Sequence, residues 1–232
     1  MGKEKHNAAI VLAGGSGTRM GTAVPKQYLM LGEYPVIWYS LKAFEQFEPV
    51  QEVILVAEEE RLAYCRSELI DRYRFKKVSA VVAGGAQRFD SVYAGLCALS
   101  DYSCVFVHDG ARPFIDQKIL WRNLHAAQQC GSAVTGMPAK DTVKRADENG
   151  CVIETPDRSS VWMIQTPQTF DCEMLREAYK KMYEEMPEGI TDDAMVVERY
   201  CNKKVQLVEG SWRNIKITTP EDMIFAKAML VY

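Results

Sequence analysis

The stretch Ala8-Ala9-Ile10-Val11-Leu12-Ala13-Gly14-Gly15-Ser16-Gly17-Thr18-Arg19-Met20-Gly21, followed closely by Pro25-Lys26-Gln27, decides how the rest of the chain is read. It opens on an unbroken apolar run, Ala8 to Ala13, short enough to be a strand buried on both faces. Three glycines follow within four residues (Gly14, Gly15 and Gly17), and two cations, Arg19 and Lys26, lie just beyond them. Glycine lets backbone N–H groups converge on an anion with no Cβ in the way. A buried strand feeding such a loop suits a polyphosphate: the loop cradles the phosphates, and the cations neutralise charge that builds up as a bond breaks. Two commoner glycine motifs are excluded. A G-x-G-x-x-G begun at Gly15 would need glycine where Met20 stands, and the loop has no Gly-Lys-Ser/Thr of the Walker form.

The whole chain sets the bounds. Its 232 residues fit one domain, and its hydrophobic content of 47% and charged content of 25% are those of an ordinary globular protein. A net charge of −3 carries no broad basic footprint, so no nucleic-acid partner is expected. The apolar runs fall short of a membrane span and the N-terminus lacks a signal-peptide core, so no membrane partner is expected either. Seven scattered cysteines with no C-x-x-C pair argue against a disulfide framework and a zinc site, and point to a reducing cytoplasm.

Outward from the loop, strand-like and helix-like segments alternate. Helical spacing is expected over Val36 to Phe47, Glu59 to Tyr73, Arg88 to Leu99, and from an Asp116 N-cap through Gln129. Strands are expected over Val53 to Ala57, Lys77 to Ala83 and Cys104 to His108. This alternation predicts an α/β fold: a mostly parallel twisted sheet with helices on both faces. From Ala139 the pattern changes. Two β-prone runs, Asp141 to Ala146 and Cys151 to Thr155, flank Asn149-Gly150, which predicts a projecting hairpin that is either a lid or a dimer arm. Helices over Asp171 to Glu185 and Asp192 to Tyr200, a strand over Val205 to Val208, a run Asn214 to Thr218 and a helix after Pro220 complete the body.

Four further clusters carry candidate chemistry. Gly84-Gly85-Ala86-Gln87-Arg88-Phe89-Asp90-Ser91 joins a strand end to a helix start, offering backbone groups and the Ser91 hydroxyl to a base edge, or serving as a plain turn. His108-Asp109-Gly110-Ala111-Arg112-Pro113 places an acid at the end of a buried strand, suited to phosphate and magnesium, although Asp109 could equally pair with Arg112. His108 reads as a packed strand histidine. The hairpin region supplies Asp141-Thr142, Asp157-Arg158 and Gln165-Thr166-Pro167-Gln168. Lys216, between Ile215 and Ile217, turns its head away from their apolar face, to solvent or to a cleft. No Ser-His-Asp set, no suitable Cys-His pair and no carboxylate pair with split roles is evident. A phosphate monoester as nucleophile accounts for this, because its second pKa near 6 leaves it largely dianionic at neutral pH.

Taken in order, A-G-G-S-G-T-R-M-G…P-K-Q-Y-L, G-G-A-Q-R-F-D-S-V, H-D-G-A-R-P, D-T-V-K, D-R-S-S-V-W, Q-T-P-Q-T-F, T-D-D-A and N-I-K-I-T-T-P-E-D span nearly the whole chain. Together they resemble the methylerythritol phosphate cytidylyltransferases of the non-mevalonate isoprenoid route. The resemblance implies a single Rossmann-like nucleotidyltransferase domain over 1–232, with 139–157 as a β-arm that makes a homodimer. It implies transfer of CMP from CTP to methylerythritol phosphate, giving the CDP-alcohol and pyrophosphate, with Mg²⁺ held mainly by the CTP phosphates and Asp109 as a possible ligand. By motif position, Arg19 and Lys26 stabilise the transition state. Ala13, Gly14, Gly85 and Ser91 hold cytidine beside the Gly15 and Gly17 loop, with Asp109 near the ribose–phosphate. Arg112, Thr142, Thr166 and Lys216 line the acceptor phosphate site, and Arg158 reaches with Thr142 into the partner's site.

The chain departs from the family at Ala86, where an acidic residue often stands. The loop is also similar to that of ribitol phosphate cytidylyltransferases of wall teichoic acid synthesis. Thr191-Asp192-Asp193-Ala194 and Glu209-Gly210-Ser211 followed by Asn214-Ile215-Lys216 are closer to the isoprenoid enzyme. A catalytically dead nucleotide-binding homologue is opposed by the presence of Arg19 and Lys26.

Overall fold

Strand β1 (Asn7–Leu12) runs through the middle of the sheet, and all six of its residues are buried. The computed structural model describes residues 6–14, 24–185 and 188–230. After β1 the described chain forms a short hairpin, β2 (Met30–Leu31) and β3 (Tyr34–Pro35), then α1 (Val36–Gln46) and β4 (Val50–Ala57). A single helical turn α2 (Leu62–Tyr64) continues as a π-helix over Cys65–Asp71, followed by β5 (Val78–Ala83), α3 (Arg88–Ala98), β6 (Cys104–Asp109), α4 (Gln117–Cys130) and β7 (Ser132–Pro138). Two small strands, β8 (Arg145–Ala146) and β9 (Val152–Glu154), precede β10 (Trp162–Asp171), α5 (Cys172–Glu185), α6 (Asp193–Cys201), β11 (Leu207–Glu209) and α7 (Pro220–Leu230).

The main sheet has the order β5-β4-β1-β6-β10-β7-β11. Among the described residues, β10 alone runs against its neighbours in this sheet; the pairs β1–β4, β1–β6, β4–β5 and β7–β11 are parallel. This is the expected mostly parallel, Rossmann-like α/β sheet. Alternation of side chains along β1 divides the core. Ala9, Val11 and Ala13 pack with Ile37, Leu41 and Phe44 of α1 and Ile119, Leu120 and Leu124 of α4. Ala8, Ile10 and Leu12 pack with Val92 and Leu96 of α3, Leu175 and Tyr179 of α5 and Val196 of α6. Helix α3 comes so close to β1 that a Cβ on Gly95 would lie 2.7 Å from Ile10 Cγ2, so this crossing demands glycine.

Several expectations need revision. The segment 59–73 is a 3₁₀, α and π succession in place of one regular helix. The run Asn214 to Thr218 forms no strand, and its Ile217 N–H instead donates to Ala111 O at 2.9 Å, laying the segment beside the Asp109 loop. Strands β7 and β10 are additions. Gly136 and Pro138 disguise the first, and the polar Gln165-Thr166-Pro167-Gln168 disguises the second. The Thr166–Pro167 peptide is cis and falls where the β10–β7 register breaks, between Ile164 and Gln168. Proline, lacking a backbone donor, is tolerated at such a break. The expected hairpin is present as β8–β9, with every residue of both strands exposed.

Candidate active site

The parallel strands place the sequence clusters along one edge. In register, Leu12 faces Val56 on one side and Asp109 on the other, and Ala57 faces Ala83. Strand β1 lies between β4 and β6, so the chain leaves it first to one side and later to the other. This is a topological switch point, and open α/β sheets bind ligands outside the carboxyl ends of their strands at such a point. Ala13 is buried and Gly14 exposed at this edge. The position of a Cβ on Gly14 is 3.8 Å from Ser91 Oγ, which brings the first and second clusters together. Gly84 and Gly85 pack against Ser91 and Asp90, and a capping box between Gln87 and Asp90 starts α3. Lys26 lies buried in a 3₁₀ turn, Lys26–Tyr28. The neighbouring Gln27 Nε2 donates to Ala13 O, tying that turn to the end of β1. Gly15, Gly17 and Arg19 lie outside the described residues.

Asp109 is the electrostatic centre. Lys216 Nζ lies 2.7 Å from its Oδ2, Arg88 Nε 3.3 Å from its Oδ1, and Arg112 Nε 4.0 Å from its Oδ2. Burial opposes ionisation here, but Arg88, Lys216 and Arg112 together outweigh it and hold the carboxyl well below the usual carboxylate range. Both readings left open by the sequence find an answer. Asp109 does face Arg112, but its shorter contacts are to Arg88 and Lys216, and the partly exposed Lys216 head turns onto the Asp109 carboxylate. Arg112 also donates from Nη1 to Asn214 O at 2.8 Å, so the Asn214–Lys216 segment is fastened from both ends.

Behind Asp109 lies a relay of neutral groups. The Asp109 N–H donates to Thr166 Oγ1 at 3.0 Å, and Thr166 Oγ1 lies 3.1 Å from His108 Nδ1. His108 Nε2 lies 3.2 Å from Arg112 O. Burial pushes His108 down to about 4, so its imidazole is neutral at pH 7. A carbonyl can only accept, so Nε2 carries the proton and Nδ1 accepts from the Thr166 hydroxyl. His108 is thus the packed histidine the sequence suggested. Thr166 joins the cluster through Asp109's backbone. Thr142 and Arg158 sit exposed on the hairpin side, where Arg158 Nη1 donates to Lys140 O at 3.0 Å and does not join the Asp109 cluster.

The sequence reading missed two members. Arg88 stood in a quoted motif only as a helix start, and Asp193 stood in the quoted T-D-D-A without a role. Arg88 Nη2 lies 2.8 Å from the fully buried Asp193, so one guanidinium joins two carboxylates. The available signal was an arginine just after a strand-terminal Gly84-Gly85 and a second aspartate, Asp193, beyond the capping Asp192.

Three cations converge on one ionised carboxylate at the switch point of a Rossmann-like sheet, beside a glycine turn; with the relatives described next, this makes the chain an α/β nucleotidyltransferase. The model of the 2-C-methyl-D-erythritol 4-phosphate cytidylyltransferase family matches residues 7–232. A protein of that name from Lachnospira eligens is 50% identical over 97% of this chain and 99% of its own. Another, from Lachnoclostridium phytofermentans, is 45% identical over 96% and 95%. Among solved structures, the 4-diphosphocytidyl-2C-methyl-D-erythritol synthase of Anaerococcus prevotii superposes with a TM-score of 0.85 at 33% identity, covering 98% of this chain and 97% of that one. The chain belongs to the 2-C-methyl-D-erythritol 4-phosphate cytidylyltransferase family.

Proposed function

We propose that the chain transfers CMP from CTP to 2-C-methyl-D-erythritol 4-phosphate, releasing pyrophosphate. The observation that carries this reading is the Asp109 cluster, in which Arg88, Arg112 and Lys216 surround one carboxylate with no available base among them. His108 has both ring nitrogens engaged and a pKa of about 4, so it is withheld from proton transfer at neutral pH. The acceptor phosphate, already dianionic, attacks the α-phosphorus directly, and the protein's work is alignment and charge neutralisation. The family membership and the names of the relatives support this substrate pair; no observation favours ribitol 5-phosphate.

In this reading Ala13, Gly14, Gly85 and Ser91 hold cytidine at the strand edge, and Arg19 and Lys26 neutralise the pentacoordinate phosphorus. Lys216 and Arg112 orient the acceptor phosphate, with Thr166 holding the Asp109 backbone. For magnesium, the donor set fits. Asp109 is ionised and takes one close donor on each oxygen, leaving lone pairs for a cation, and Mg²⁺ is commonly held by one or two carboxylates plus substrate phosphates. Held by Asp109 and the CTP phosphates, it would offset charge gathering on those phosphates. The exposed hairpin, within an arm of 139–157, supports a homodimer in which Thr142 and Arg158 complete the partner's site. Free cysteines, three of them buried, support a reducing cytoplasmic setting.

Stereochemistry tests the mechanism. With CTP bearing a chiral α-thiophosphate, one in-line displacement inverts configuration at phosphorus. Retention would mean a covalent nucleotidyl intermediate and defeat direct attack.

A further inference from the structure

The T-D-D-A segment at the start of α6 lies behind the site, yet it fastens Asp109 by two separate routes. On the side-chain route, the fully buried Asp193 receives the Tyr179 hydroxyl on Oδ1 at 2.6 Å and Arg88 Nη2 on Oδ2 at 2.8 Å. The same guanidinium then reaches Asp109 Oδ1 through Nε at 3.3 Å. On the backbone route, the Gln168 amide clasps the turn of α6, donating to Asp192 Oδ2 at 2.8 Å and accepting from Ala194 N–H at 2.9 Å. Gln168 stands on β10 two residues from Thr166, which takes the Asp109 N–H.

We infer that Arg88 is a positioning residue for the transfer reaction, fixed from behind by Asp193 and Tyr179, so that Asp109 presents its carboxylate in one orientation. The inference rests on the cytidylyl-transfer reading. Three physical points carry it. A planar guanidinium holds its donors in a fixed fork, so that Nε and Nη2 reach two separate carboxylates in set directions, whereas an ammonium gathers its rotatable donors on one atom. Asp193 has no solvent exposure, so its charge must be matched by fixed partners. The Tyr179 phenol is also fully buried, and burial with Asp193 beside it keeps the phenol protonated as a donor. The arginine is therefore held in one rotamer before ligand arrives, and Asp109 and Lys216 inherit that order.

The test measures steady-state kinetics with CTP and 2-C-methyl-D-erythritol 4-phosphate for Arg88→Lys, Tyr179→Phe and the double variant, well below each melting temperature. Arg88→Lys should lower kcat about 10- to 100-fold, the weight of one charge-assisted hydrogen bond, with KM for CTP within about twofold. Tyr179→Phe should lower kcat about three- to tenfold. The double variant should fall little below Arg88→Lys alone, because both changes act on one carboxylate. A purely structural role would lower the melting temperature and leave kcat of the folded protein unchanged, and that result overturns the inference. So does full additivity. Should Arg88→Lys fail to fold, Tyr179→Phe decides alone, since it keeps the ring and removes only the hydroxyl: unchanged kcat overturns the inference and reduced kcat at unchanged KM upholds it. Inactivity of the unsubstituted chain sinks the cytidylyl-transfer reading itself, and this inference with it.

Discussion

His108 shows how a single buried side chain ties pH to stability. Burial holds its folded pKa at about 4, below the ordinary value near 6.5. The unfolded chain therefore binds a proton that the folded chain refuses between those values. The stabilising effect is complete above about pH 6.5 and is lost as pH falls toward 4, amounting to about 3 kcal/mol over the window. Urea unfolding at pH 7.5 and pH 4.5 should show this loss, and His108→Asn should flatten that part of the dependence. Asp109 makes a second prediction at this scale. Asp109→Asn leaves Arg88 and Lys216 facing a neutral amide, so it should cost about 3 kcal/mol in urea unfolding, the low end for a broken buried pair because Lys216 is partly exposed. If stability were unchanged, Asp109 would not be the hub of the cluster.

At the scale of elements, the turn between β5 and α3 is set by contact. A Cβ on Gly85 would sit 2.3 Å from Asp90 Cβ, inside the capping box that starts α3. Gly85→Ala should therefore lower stability by about 1–3 kcal/mol and raise KM for CTP more than it lowers kcat, read from thermal melts and initial rates. Asp116 offers a control far from the chemistry. It caps α4 by accepting from Ile119 N–H at 2.8 Å, and Asp116→Ala should cost about 1 kcal/mol in the same melts with kcat unchanged. This scale also shows what the sequence could reveal. The strands β1, β4 and β6 were legible because strands buried on both faces read as continuous apolar runs, and Asp109 stood out at the end of β6; the edge strand β5, only partly buried, was legible from its β-prone run ending at Gly84-Gly85. Strand β10 was hidden because Gln165, Thr166 and Gln168 are buried, and only partners distant in sequence satisfy them. Asn214 lies 49 positions from Gln165, and Asp109 57 from Thr166. The Arg88–Asp193 bridge, 105 positions apart, was hidden for the same reason. Local pattern reports burial and turns; it does not report which charges meet.

For the whole molecule, the exposed hairpin is where the proposed homodimer can be tested. Its β8 and β9 strands are exposed throughout, including Val152 at 59% and Ile153 at 58%, so a β-arm that stays uncovered would expose apolar surface at its tip. If two chains exchange arms, Arg158→Ala and Lys26→Ala chains should each be nearly inactive alone and regain up to about a quarter of full activity when co-assembled, because one composite site per heterodimer is intact. No regain would remove Arg158 from the partner's site. The sheet, the converging cations and the family membership together point to one reaction, and one assay addresses it most directly. Pyrophosphate release from CTP with Mg²⁺ should be compared with 2-C-methyl-D-erythritol 4-phosphate and ribitol 5-phosphate as acceptors under identical conditions. Fast release with the first and little with the second is the predicted result; preference for ribitol 5-phosphate, or silence with both, would contradict the proposed function.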